Sequence, residues 1–103
     1  MAARRVVRGE CFDLHYCPVR ADSLARLGLI VPKRLARTAS LRNAIKRQGR
    51  EAFRLIVTEI PPCDLILRLT RPVKGVMARD NEQRKAWRGE METLLRRLSV
   101  LPQ

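Results

Sequence analysis

Along residues 10–18 apolar and polar positions alternate: Phe12, Leu14 and Tyr16 fall on one side, Asp13 and His15 on the other. A period of two marks a strand with one buried face. Residues 1–9 before it are short and basic, with Arg4, Arg5 and Arg8, and hold too little apolar content to fold alone. Residues 18–24 read as a polar turn. "ARLGLIVP" is a second strand, apolar on both faces over residues 29–31 and stopped by Pro32, which predicts a central place in its sheet. A helix then starts near Thr38 or Ser40, either of which can cap it, and Pro61 and Pro62 close the segment. "CDLILRLT" is a third strand of mostly buried character, and "RPVKGVMAR" is a loop. Asp80 and Gln83 have the spacing of a capping box. Behind them Trp87, Met91, Leu94, Leu95 and Leu98 share one side of a last helix. The order β–β–α–β–α predicts an α+β or α/β sandwich, with helices packed on a small sheet.

The first helix has two unlike faces. With about 100° per residue and Arg42 set at zero, Lys46 lies near 40°, Arg50 near 80°, Asn43 near 100°, Arg54 near 120° and Arg47 near 140°. Leu41, Ile45, Ala52 and Ile56 fall between about −100° and −40°. One face is dry and the other is almost purely cationic. Gly49 sits in this helix at a cost of about 1 kcal/mol relative to alanine, and its margin position points to a close approach of the sheet.

Composition sharpens this picture. The 103 residues suffice for one compact domain, and 46% are hydrophobic, so a core can form. The charge is unusual, with 22 Lys and Arg against 10 Asp and Glu, a net +12. Self-repulsion at that charge favours a bound polyanion. Between Lys33 and Arg54 there are eight cations and a single acid, Glu51. Nucleic acid is the leading partner class. Cys11, Cys17 and Cys63 are odd in number and lack C-x-x-C spacing, so free thiols in a reducing compartment are expected. No stretch approaches the ~20 apolar residues of a membrane span, and the cytoplasm is the expected location. His15 is the only histidine, and the acids are scattered, so no metal site and no catalytic residue is expected of the protein itself. On these residues alone, a ribosomal-protein-like RNA-binding module, a DNA-binding helix and an autonomous nuclease compete. The missing acid or histidine cluster counts against the last.

The stretch "LGLIVPKRLARTASLRNAIKRQGREAFRL" resembles the protein subunit of bacterial ribonuclease P. In that family a strand end of the form G-L-x-V-x-K-K/R leads to a helix carrying R-N, I-K-R and R-E-x-F-R. Here these are Gly28-Leu29-Ile30-Val31-Pro32-Lys33-Arg34, then Arg42-Asn43, Ile45-Lys46-Arg47 and Arg50-Glu51-Ala52-Phe53-Arg54. The resemblance covers the chain from Phe12 onward. It implies an α+β two-layer sandwich with a small mixed sheet, ribosomal-protein-domain-like, with a left-handed βαβ crossover. It also implies a subunit that assists a catalytic RNA in removing the 5′ leader of precursor tRNA, with Mg2+ held mainly by that RNA. The expected RNA-binding residues are Arg42, Asn43, Lys46, Arg47, Arg50, Lys33, Arg34 and Arg54, and Phe12 and His15 are expected in the leader cleft. The family's third motif residue, usually arginine, is Ala44 here, near −160° on the wheel and away from the cationic arc. His15 stands where the family commonly has an aromatic. Residues 1–9 are expected as a short basic segment in which the family's first helix is missing or vestigial, and residues 10–103 as a single RNA-binding domain.

Overall fold

A computed structural model describes residues 5–19 and 24–100; residues 1–4, with Arg4, and 20–23 of the expected polar turn lie outside the described residues. The elements are β1 (Arg5–Arg8), β2 (Phe12–Pro18), β3 (Arg26–Ile30), α1 (Ala39–Ile56), a 3-10 turn at Val57–Glu59, β4 (Cys63–Leu69) and α2 (Asn81–Val100). They build a four-stranded sheet in the order β1-β2-β4-β3. β2 pairs antiparallel with β1 and with β4, whereas β3 and β4 are parallel. The sheet is therefore mixed, and α1 is the crossover that joins its two parallel strands.

Both helices pack on one side of this sheet. Phe12 and Leu14 of β2, together with Leu65, Leu67 and Leu69 of β4, form a single core with Leu41, Ile45, Ala52 and Ile56 of α1. Trp87, Met91, Leu94, Leu95 and Leu98 of α2 complete it. The cap of α1 is Thr38, whose Oγ1 accepts from the Leu41 amide at 3.1 Å. Asp80 caps α2 by accepting from the Gln83 amide at 3.1 Å. A Cβ on Gly49 would lie 2.5 Å from Cδ2 of Leu29, so the expected close approach of helix and sheet is present.

Two expectations need correction. The N-terminal segment is not separate from the domain, because residues 5–8 pair with β2 as an edge strand and the boundary expected after residue 9 falls inside a hairpin. The segment gains its order from its neighbours. The Glu90 carboxylate of α2 accepts the amides of Cys11 and Phe12 at 2.8 and 2.7 Å, and a Cβ on Gly9 would sit 2.8 Å from the same oxygen. The second correction concerns β3, which is an edge strand and not a central one. Its apolar run does not mean two buried faces: Leu27 and Leu29 turn towards α1, and Ile30 on the other side remains 43% exposed. Val31, which extends the run, is buried beyond the strand's end. The crossover places β4 in the interior of the sheet instead.

Candidate nucleic-acid interface

The dry face of α1 is taken by the core, so its cationic arc is turned outward. Asn43, Arg47, Arg50 and Arg54 are exposed, and Arg42 and Lys46 are half-buried. Ala44 packs at the edge of the core, which explains why a small residue serves there. The arc is not uniform. The Arg42 guanidinium donates from one nitrogen to the carbonyls of Ala36 and Arg37, both at 3.0 Å, and so ties the β3–α1 loop to the helix. Arg54 is neutralised by Glu51, to which it donates twice; those bonds hold the Glu51 carboxyl below the usual range and push the Arg54 guanidinium up. Lys46, Arg47 and Arg50 have no protein acceptor among the described residues. They are the part of the arc with its full charge on offer.

The arc is bordered on both sides. Lys46 and Arg50 share a groove of about 330 Å3 with Leu27 and Leu29 of β3 and with Phe53. At the start of α1, a concavity of about 680 Å3 is lined by Arg34, Arg37, Thr38 and Lys74. Lys33 and Arg34 are exposed in the turn before the helix, so they extend the positive surface past Arg42. The first turn of α1 carries no acid that would oppose an anion at its positive end.

The expected cleft pair does not survive as a pair. Phe12 and His15 are three residues apart on one strand, so they lie on opposite faces of the sheet. Phe12 is 1% exposed within the core and has no surface to offer a ligand. His15 lies on the face that no element among the described residues covers. Strand register defines this face as rows. Val6, His15, Ile66 and Gly28 run side by side across the four strands. The next row is Arg8, Asp13, Arg68 and Ile30, with Arg8 and Asp13 at 3.7 Å. On the other side Arg26 grips Asp64 through two bonds of 2.9 and 3.1 Å. A mainly apolar row with one imidazole thus runs between two charged ones. Nδ1 of His15 is enclosed without a hydrogen-bond partner among the described residues, and the residue as a whole is half-buried on this face.

The sequence pattern did not single out Ile66, Val6 and Arg68, which share this face, or Arg84, Lys85 and Arg88, which line a groove where α2 meets α1. The strand residues could have been found by carrying the odd–even parity of β2 across to its partners. The α2 cations show a helical i, i+1, i+4 spacing that only packing makes meaningful. Among the described residues no group of three or more His, Cys, Asp or Glu could hold a metal ion, and no helix is long and apolar enough to cross a membrane.

Comparison with known proteins adds to this geometry. A family model described as Ribonuclease P matches residues 1–99. The ribonuclease P protein component of Azoarcus sp. strain BH72 is 51% identical over 72 residues, covering 70% of this chain and 59% of that protein. The component from Bordetella petrii is 45% identical over 73 residues, covering 67% of this chain and 59% of that protein. The matched stretch thus spans about three-fifths of the length of these curated relatives. Among solved structures, the RNase P protein of Staphylococcus aureus superposes with a TM-score of 0.75 at 27% identity, over 96% of this chain and 84% of that one. The RNase P protein of Thermotoga maritima gives a TM-score of 0.68 at 26% identity, over 91% of this chain and 83% of that one.

Proposed function

The chain belongs to the ribonuclease P protein family, and on that footing we propose that it is the RNA-binding subunit that assists a catalytic RNA in removing the 5′ leader of precursor tRNA. The observation that carries this reading is the face of α1 with Lys46, Arg47 and Arg50, charged and without acceptors among the described residues. Cations in such an arc neutralise neighbouring phosphates and release their counterions, which makes affinity fall steeply with salt. Asn43 in the middle of the arc adds a directional donor and acceptor for a phosphate, sugar or base edge. The reaction is the RNA's own, with Mg2+ held mainly by it. The protein holds and orients, and its side chains take no part in bond cleavage. The cytoplasm, where precursor tRNA is processed, is its place of work.

The open face of the sheet receives the unpaired leader. A row of His15 and Ile66 flanked by Arg68 gives bases something to lie against and phosphates something to pair with. Stacking of this kind is worth about 1–3 kcal/mol per base. This replaces the Phe12–His15 pair with residues that share one surface.

The deciding experiment is cleavage of a leader-bearing precursor tRNA by a bacterial ribonuclease P RNA at low magnesium, with and without the protein. Arg47→Ala with Arg50→Ala is the informative variant, because neither side chain holds the fold together. Stimulation that needs both the RNA and these two cations supports the proposal. A protein that binds the RNA but leaves cleavage unchanged would be a general RNA-binding module.

A further inference from the structure

The cationic arc of α1 stops at Glu51, yet positive charge resumes on the neighbouring helix. Where α1 and α2 meet, a groove of about 460 Å3 is lined by Gln48, Asn81, Arg84, Lys85, Arg88 and Gly89. Glu92 is the one acid on its wall among the described residues. Each guanidinium is anchored by Nε: that of Arg84 donates to the Ala78 carbonyl at 2.7 Å, and that of Arg88 to Oε1 of Gln48 at 2.9 Å. Their terminal nitrogens have no protein acceptor among the described residues, and neither does Lys85. The forks are therefore held in place with their outer donors unspent.

Gly89 makes the groove more than a charged patch. It lies in the interior of a 20-residue helix, where glycine is less favourable than alanine. Packing gives no reason for it: a Cβ there would meet nothing within 4 Å, whereas one on Gly9 or Gly49 would collide. A missing side chain on an exposed groove wall lets another backbone approach closely. Among the described residues no aromatic side chain lines the groove, so these walls offer no platform for unstacked bases. Two forked guanidiniums, an ammonium and two amides instead match phosphate oxygens and ribose hydroxyls.

We propose that the α1–α2 groove is a second RNA site, which seats the sugar-phosphate backbone of the catalytic RNA against Gly89 through Arg84, Lys85 and Arg88. The proposal rests on the reading of α1 as an RNA-binding helix and extends that surface around the molecule.

Binding of the full chain to a bacterial ribonuclease P RNA, without precursor tRNA, tests it across a salt series. Arg84→Ala with Lys85→Ala should weaken binding about tenfold near physiological salt and flatten the salt dependence by about one unit of slope per cation removed. Gly89→Gln should fill the groove while improving the helix, so its melting temperature should equal or exceed that of the unmodified protein while its affinity falls. If both groove variants bind like the unmodified protein while Arg47→Ala with Arg50→Ala does not, the groove is no RNA site and the reading of α1 stands. If none of these changes weakens binding, both readings fall together.

Discussion

The two faces of the sheet are made by the same strands, in alternate residues, and they behave as different materials. On the covered face Leu14, Leu65, Leu67 and Leu69 are no more than 1% exposed and pack against both helices. On the open face the residues between them are His15, Ile66, Asp64 and Arg68, half-buried or exposed, with charges paired across strands. A strand can carry two chemistries because its side chains alternate. The contrast separates what holds the molecule together from what is left for a partner.

The largest expected effect lies on the covered face. Leu67→Ala should cost about 3 kcal/mol in chemical denaturation, and Ile66→Ala, its neighbour on the open side, less than about 1 kcal/mol. Equal losses would mean the faces are not distinct. Next comes the clamp from α2 onto the start of β2. Glu90→Ala leaves two amides without their acceptor and should cost about 1–3 kcal/mol, with faster hydrogen exchange in β1 as the local sign. Unchanged exchange there would show that β1 does not depend on this carboxylate.

His15 sharpens the comparison from the open side. His15→Phe removes an enclosed, unpartnered nitrogen and should raise stability by up to about 1 kcal/mol while keeping a stacking ring. His15→Ala should leave the affinity of the holoenzyme for leaderless tRNA intact and weaken only that for the leader-bearing substrate, by about 1–3 kcal/mol. Equal losses for both substrates would remove the leader from this face.

The gentlest test changes no residue. Cys63 is on the covered face, where burial above all pushes its thiol pKa up, and the adjacent Asp64 carboxylate adds to this. A raised thiol pKa leaves little thiolate at neutral pH, and reactivity grows only as pH rises. Cys17 is half-buried on the other side of the sheet. Alkylation of the native protein at neutral pH should therefore modify Cys17 well before Cys63, and mass mapping of the adducts would read the order.

Much of the molecule was legible from local pattern, because its signals are local in cause. The alternation of β2, the amphipathic wheel of α1, the Asp80 cap and the apolar side of α2 each arise from the geometry of one element. Gly49 was also legible, since a helix gives up a side chain at the margin of its dry face where a neighbour must come close. The errors fell where neighbours decide. β1 has too little apolar content to fold alone, and it is a strand because β2 and Glu90 supply its partners. β3 looked central because its run is continuously apolar, but the place of a strand in a sheet belongs to topology.

The amino-acid sequence by itself determined the net positive charge, the cationic arc of α1 and the compound motif that marks the family, since all three are properties of residue order and helical spacing. Only the tertiary structure decided how that charge is spent. It bound Arg42 to loop carbonyls and Arg54 to Glu51, left Lys46, Arg47 and Arg50 without an acceptor among the described residues, and set Phe12 and His15 on opposite sides of the sheet. It also brought Gln48 beside Arg88, 40 residues along the chain. Hydrogen-bond partners are settled by distances of a few ångströms between distant segments, and no one-dimensional pattern contains those distances.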